Sequence, residues 1–257
     1  MTPPLLHWRK AAEQFLFAWQ SLDCVEGALV TGSQVIGTAT PESDVDIHIV
    51  LSPETTWRER GNQMVGGHLI EYFANPTWRY PLYLEEDLQT PDRAILTQLM
   101  TGHILFDKRG EVGKVVAWAE GQRGETQLLG LDATALEVAK YHLWDALDGL
   151  GALYHETSSL FDAAAGQLLG EVMRTYQAYL RVETPAFSKL HKFFTDPTVA
   201  AAYRMKPFPD AAFVTLFLAA LEGDHATRWE ALQRLTNYVL EQMGGFNIDG
   251  WRLRSPA

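Results

Sequence analysis

The chain reads as an α+β protein in two parts, and three observations carry that reading. Short apolar runs bounded by Gly and Pro dominate the first 110 residues, with strict alternation from Asp44 to Ile49. Beyond residue 131 the apolar residues recur at spacings of three and four instead, as along Leu136, Ala139, Leu143, Ala146, Leu147 and Leu150. With 257 residues, 47% of them apolar and 21% charged, the chain can bury one large core or two smaller ones.

Charge and cysteine usage exclude several classes of function. A formal net charge of −11 counts against broad nucleic-acid binding, where Lys and Arg must neutralise phosphates, and suits a small or cationic partner. Cys24 is the only cysteine, so no intrachain disulfide or cysteine-rich zinc cluster is expected, in keeping with a reducing compartment. The first 20 residues lack a basic start followed by an apolar core, and no run is long enough to span a bilayer. A cytoplasmic protein without membrane contacts is expected, as a monomer or homodimer.

In chain order, Leu5, Trp8, Ala12, Phe15, Leu16 and Trp19 mark an amphipathic helix within residues 5–22 that packs on the core. Ala28 to Thr31 is a short strand. Gly32, lacking Cβ, permits a sharp turn and close approach to a ligand. Ser33 follows where a helix can begin, as an N-cap whose hydroxyl and neighbouring backbone N–H groups face an anion, and Gly37 permits a second close approach. After a polar turn, Ser43 leads into the strand of Asp44, Val45, Asp46, Ile47, His48 and Ile49. Period two places Asp44, Asp46 and His48 on one face and the aliphatic residues on the other. Two carboxylates side by side on a strand repel, and Asp is a poor strand former, so a bound divalent cation resolves the conflict. Mg²⁺ prefers such hard oxygen ligands together with substrate phosphates.

Residues 32–51 resemble the fingerprint of the nucleotidyltransferase superfamily, the group of DNA polymerase beta and the aminoglycoside nucleotidyltransferases. The matching residues are Gly32, Ser33, Gly37, Ser43, Asp44 and Asp46; a basic residue common before the second Gly is replaced by Ile36. The resemblance implies a catalytic domain with a small mixed sheet, a phosphate-holding turn at Gly32, Ser33, Gly37 and Ser43, and metal ligands at Asp44 and Asp46. It also implies a third carboxylate on a later strand. A polar stretch containing Trp57, Arg58, Glu59 and Arg60, read as helical, is followed by the Gly66-Gly67 turn and a strand whose single acid is Glu71. The resemblance makes Glu71 the third metal ligand or the base acting on an acceptor hydroxyl. His48 is a candidate to support the metal site from behind its ligands.

Asn75-Pro76 ends that strand, and Trp78, Tyr80 and Tyr83 form an aromatic stretch before a helix near 91–102. His103 to Asp107 is a further strand, with Asp107 as a turn residue before Gly110. The expected organisation is a catalytic domain over 1–120, a linker over 121–131 and a helical acceptor-binding domain over 132–257. Gly149 and Gly151 mark the end of its first helix, and helices near 158–182, 186–194, 210–222 and 224–243 follow, divided by Pro and Gly. This plan resembles that of the aminoglycoside nucleotidyltransferases. Within it Lys189 is the preferred phosphate-binding cation over Lys192, while Glu137, Asp145 and Asp148 remain unseparated candidates for a base.

Metal-assisted nucleotidyl transfer is therefore expected, with two Mg²⁺ ions on Asp44, Asp46 and Glu71. AMP would pass from ATP to a hydroxyl of a small acceptor, an aminoglycoside-like antibiotic suiting the acidic balance, with release of pyrophosphate. Two alternatives stand beside it: transfer onto a protein or RNA, and a non-catalytic regulatory partner of the toxin–antitoxin kind. The ribonuclease partners of such pairs carry Arg and His four to six residues apart, and Arg181 and His191 are too distant to fit.

Overall fold

A computed structural model describes residues 7–125 and 128–254. Helix α1 (Trp8–Gln20) starts where the His7 ring accepts the Arg9 backbone N–H at 3.3 Å, so Leu5 of the expected helix lies outside the described residues. Strand β1 (Val25–Thr31) runs into the four-residue helix α2 (Ser33–Ile36), and β2 (Val45–Leu51) returns antiparallel to β1. Next come β3 (Glu59–Val65), β4 (His68–Pro76), α3 (Arg79–Asp87), α4 (Ala94–Thr101), β5 (His103–Asp107) and α5 (Glu111–Glu125). Asp107 fastens the last junction, its Oδ2 accepting the Gly113 N–H at 2.9 Å.

The five strands form one sheet in the order β3-β4-β2-β1-β5, with β2 and β4 parallel and every other pair antiparallel. Alternation sorts the two faces as the sequence requires. Val45, Ile47, Ile49 and Leu51 pack with Ala11, Ala12, Phe15 and Leu16 of α1. Leu29 and Val50, on the opposite face, pack with Tyr80, Leu84, Leu96 and Leu99 of α3 and α4. Each such fully buried aliphatic side chain stabilises the fold by about 1.5–3 kcal/mol before entropy is subtracted. The carboxylates of β2 can stay near the surface because the aliphatic positions between them hold the strand in place.

The stretch Trp57–Arg60, expected as helical, is instead the approach to β3 and its first residues. Its polar residues carry no helical apolar stripe, and the Gly66-Gly67 turn, with φ of 57° and 87°, folds β3 back onto β4 as a tight hairpin. Gly61 sits opposite Tyr72, whose ring would collide with any Cβ there. Helix α3 arises inside the aromatic stretch, where Tyr80 and Leu84, four residues apart, are buried together.

The helices continue with α6 (Ala133–His155), α7 (Phe161–Leu180), α8 (Leu190–Thr195), α9 (Pro197–Ala202), α10 (Ala211–Ala219) and α11 (His225–Gln242). The chain divides into two compact units: Met1–Gln127 with Pro197–Met205, and Leu128–Asp196 with Lys206–Ala257. Helix α5 extends through Glu125, into the segment expected as a linker, and residues 126–127 of that segment lie outside the described residues. Gly149 and Gly151 do not end α6. Gly151 is an interior packing position, where a Cβ would press on the Trp229 ring at 3.0 Å. The second unit has its own core, built from Leu143, Leu150, Phe161, Leu168, Phe213, Leu232 and Leu235 among others. At its α10 end the Asp210 carboxylate accepts the Tyr176 hydroxyl at 2.5 Å, the Tyr238 hydroxyl at 2.8 Å and the Phe213 N–H at 3.0 Å.

Candidate active site

The site starts at the end of β1. Gly32 has φ 76° and ψ −163°, a conformation that side chains strongly disfavour, and a Cβ on it would overlap Oδ2 of Asp46. Gly32 is itself the N-cap of α2, so Ser33 is the first helical residue and not the cap expected from sequence. No side-chain hydrogen bond caps this turn. Gly37 closes it in the left-handed conformation, φ 80°, with nothing within 4 Å of a Cβ position. Gly37 thus supplies the left-handed turn, and the space beside it is open, whereas Gly32 is packed against Asp46.

The loop from Thr38 to Asp44 is tied to that turn. Ser43 Oγ accepts the Thr40 N–H at 2.8 Å, and Gln34 donates to the Ser43 carbonyl at 3.1 Å. Asp44 is thereby held just ahead of β2, beside Asp46. Parallel pairing of β2 with β4 then places Asp46 directly across from Glu71. One oxygen from each of Asp44, Asp46 and Glu71 lies within 4.8 Å of the others, and all three residues are half-buried. Three carboxylates this close repel one another unless a cation joins them. Within the protein Glu71 has one such partner, the Arg60 guanidinium at 3.0 Å. Hard oxygen donors on a strand pair, with a glycine leaving room beside the central one, fit a divalent cation such as Mg²⁺.

His48 follows Asp46 on the same face but is buried, stacked on Phe73 with ring centroids 5.3 Å apart. Its Nε2 meets Gln98 Oε1 at 3.1 Å. Burial pushes its pKa down to about 4, the Gln98 hydrogen bond opposing it, so the ring is neutral near pH 7. It supports the sheet face behind the carboxylates and is not among the three groups that converge.

Beside Glu71 a cleft of about 500 Å³ opens, lined by His48, Arg58, Glu59, Arg60, Phe73, Asn75, Tyr83 and Ile95. A volume of this order suits a small ligand. Arg60 lies over the Phe73 ring, 4.9 Å from its centroid, and Arg58 donates to the Tyr83 hydroxyl at 3.0 Å. That hydroxyl in turn donates to Asn75 Oδ1 at 3.1 Å. Of this lining the sequence singles out His48 but not Arg58 or Arg60 as site residues. The one available signal was the alternation of Arg58 and Arg60, which on a strand puts both on one face.

Gly32, Asp44, Asp46 and Glu71 are thus brought together, with Ser33, Gly37 and Ser43 in the adjoining loop. Lys189 belongs to the second unit, exposed at the end of the short turn Phe187–Lys189. Glu137, Asp145 and Asp148 lie on α6 of that unit, and Glu137 forms an ion pair with Lys140. The first unit also recruits Tyr203, just beyond α9, whose side chain hydrogen-bonds Thr38 of the loop after α2.

Comparison with known proteins agrees with the geometry of the first unit. Residues 9–91, which contain Gly32, Asp44, Asp46 and Glu71, match the family described as the nucleotidyltransferase domain. No curated protein matches the chain. Among solved structures it is similar to a nucleotidyltransferase-like protein from Exiguobacterium sibiricum 255-15, at 10% identity and a TM-score of 0.42, covering 91% of this chain and 75% of that one. Among the described residues, no helix is long and apolar enough to cross a membrane.

Proposed function

From the nucleotidyltransferase domain that residues 9–91 carry, we propose that the protein is a metal-dependent nucleotidyltransferase moving AMP from ATP to a hydroxyl of a small acceptor. The observation that carries this is the convergence of Asp44, Asp46 and Glu71, with oxygens within 4.8 Å, beside a turn that only glycine can make.

Asp44, Asp46 and Glu71 would hold two Mg²⁺ ions. When bound, the ions supply charge neutralisation for the triphosphate and lower the pKa of an acceptor hydroxyl. The residues of this chain then divide the remaining work. Ser33 and the backbone N–H groups of its turn bind the β- and γ-phosphates, in the position set by Gly32. In the reaction the acceptor oxygen bonds to the α-phosphorus, the bond from that phosphorus to the β-phosphate bridging oxygen breaks, and pyrophosphate leaves with the electron pair. The acceptor proton passes to a carboxylate, for which Glu71, hydrogen-bonded to Arg60 on the cleft wall, is our choice. No covalent intermediate with the protein is needed. Neutral His48 and Gln98 hold the sheet face behind these groups.

The test is pyrophosphate release from each nucleoside triphosphate with Mg²⁺, across a panel of hydroxylated acceptors. The panel takes in cationic, aminoglycoside-like compounds, in view of the net charge of −11, together with neutral hydroxylated compounds and ones that carry an anionic group. Release with ATP that Asp46→Asn abolishes supports the proposal. Wild-type protein that releases no pyrophosphate with any triphosphate and acceptor speaks against it.

A further inference from the structure

The charge beside the carboxylates runs against the charge of the chain. The protein carries a net −11, yet Arg58 and Arg60 both line the cleft next to Glu71. Arg79 joins them on the adjoining wall, over the Tyr83 ring at 4.5 Å. Among the described residues neither Arg58 nor Arg79 is paired with a carboxylate, and Glu59 on the same rim is engaged by the Tyr72 hydroxyl at 2.6 Å. We propose that this cleft is the acceptor site and that Arg58 and Arg60 form in it a subsite for an anionic group, a carboxylate or phosphate borne by the acceptor. The assignment rests on the nucleotidyl-transfer reading and narrows its substrate class.

Topology separates this subsite from the donor's phosphates. In the order β3-β4-β2-β1-β5, Gly32 and Ser33 follow β1 on one side of Asp46, while Arg60 belongs to β3, on the far side of β4. A triphosphate held at Ser33 and a ligand held by the arginines therefore approach the carboxylates from opposite sides, as donor and acceptor must for an in-line displacement. The guanidiniums are also set in advance. Arg58 is oriented by Tyr83, itself fixed by Asn75, and Arg60 by the Phe73 face and Glu71. Each guanidinium has five N–H donors in a planar fork suited to a carboxylate or phosphate, and these contacts use only one or two of them. At physiological salt the net charge of the whole chain is screened beyond about 8 Å, so the groups lining the cleft decide what it accepts. A polycation without an anionic group would meet two guanidiniums there and satisfy neither.

Inorganic phosphate is the probe, titrated into the full chain by calorimetry and by the fluorescence of Trp57 and Trp78, which line the wall beside Arg58 and Arg79. The titration is run with and without Mg²⁺ and α,β-methylene-ATP. We expect phosphate to bind in the millimolar range whether or not nucleotide is present, and Arg58→Gln to weaken it at least about tenfold. Arg58→Lys should restore part of the loss, with the melting temperature and nucleotide affinity of both variants at wild-type values. Arg58 is the clean position because Arg60 also touches Glu71. Displacement of phosphate by the nucleotide would assign the anion to the donor and overturn the proposal. So would wild-type phosphate binding in Arg58→Gln, or no binding to the wild-type protein. If the nucleotide itself fails to bind while phosphate binding still depends on Arg58, the transfer reading falls and takes the acceptor role with it.

Discussion

Gly32 and Asp46 are coupled: the carboxylate oxygen of one occupies the space where a Cβ on the other would lie. We expect Gly32→Ala to cost about 2–4 kcal/mol, from the disfavoured backbone conformation and the displaced carboxylate together, read as a lower melting temperature. Asp46→Asn should do the opposite to stability. It removes one of three mutually repelling charges, so the melting temperature should hold or rise while transfer falls by roughly 10²–10³-fold or more. A variant that lost activity only in proportion to its folded fraction would show Asp46 to be structural. At this scale the sequence was informative because the groups are local. Asp44 and Asp46 share a face by period two, and Gly32 announces a turn by lacking a side chain. The helix cap falls one position before Ser33, because Gly32 takes it itself.

Elements decide what the local pattern leaves open. Glu71 could be named as the one acid on its strand, but its position opposite Asp46 depends on β2 and β4 pairing in parallel, and nothing within either segment encodes that register. The arginine cleft is harder still, since β2, β3, β4, α3 and α4 each contribute to its lining. Arg58 and Arg60 fell in a stretch read as helical because its strand pairing is set by a hairpin turn downstream. In the second unit, Asp210 shows how an element junction is held. Burial alone would raise its carboxyl, but the hydroxyls of Tyr176 and Tyr238 and the Phe213 N–H outweigh it and hold the pKa below the ordinary value. A pKa depressed on folding adds stability that is complete above the unfolded value, near 4, and is lost as pH falls through the folded value. We expect Asp210→Asn to cost about 1.5–3 kcal/mol at pH 7, with the gap to wild type closing below about pH 4 in denaturant titrations. A gap independent of pH would assign the cost to packing.

For the molecule as a whole, alternation in the first 110 residues and helical spacing after 131 point to strands followed by helices, while the mixed sheet is what the family resemblance implies. They could not show that Pro197–Met205 returns to the first unit, because a short helix between prolines looks the same in either unit. The family match likewise ends at residue 91, so it covers the carboxylates and most of the cleft lining and is silent on α6 to α11. The net charge of −11 describes the chain at long range, whereas the arginines beside Glu71 describe what a ligand meets on contact. The most direct measurement is calorimetric titration of α,β-methylene-ATP into wild-type and Asp46→Asn protein, with and without Mg²⁺. We expect one nucleotide to bind wild type only with Mg²⁺, and Asp46→Asn to weaken that binding by about 100-fold, equivalent to roughly 2.7 kcal/mol. Equal affinity in the two proteins, or binding indifferent to Mg²⁺, would contradict a metal-dependent nucleotide site at Asp44, Asp46 and Glu71.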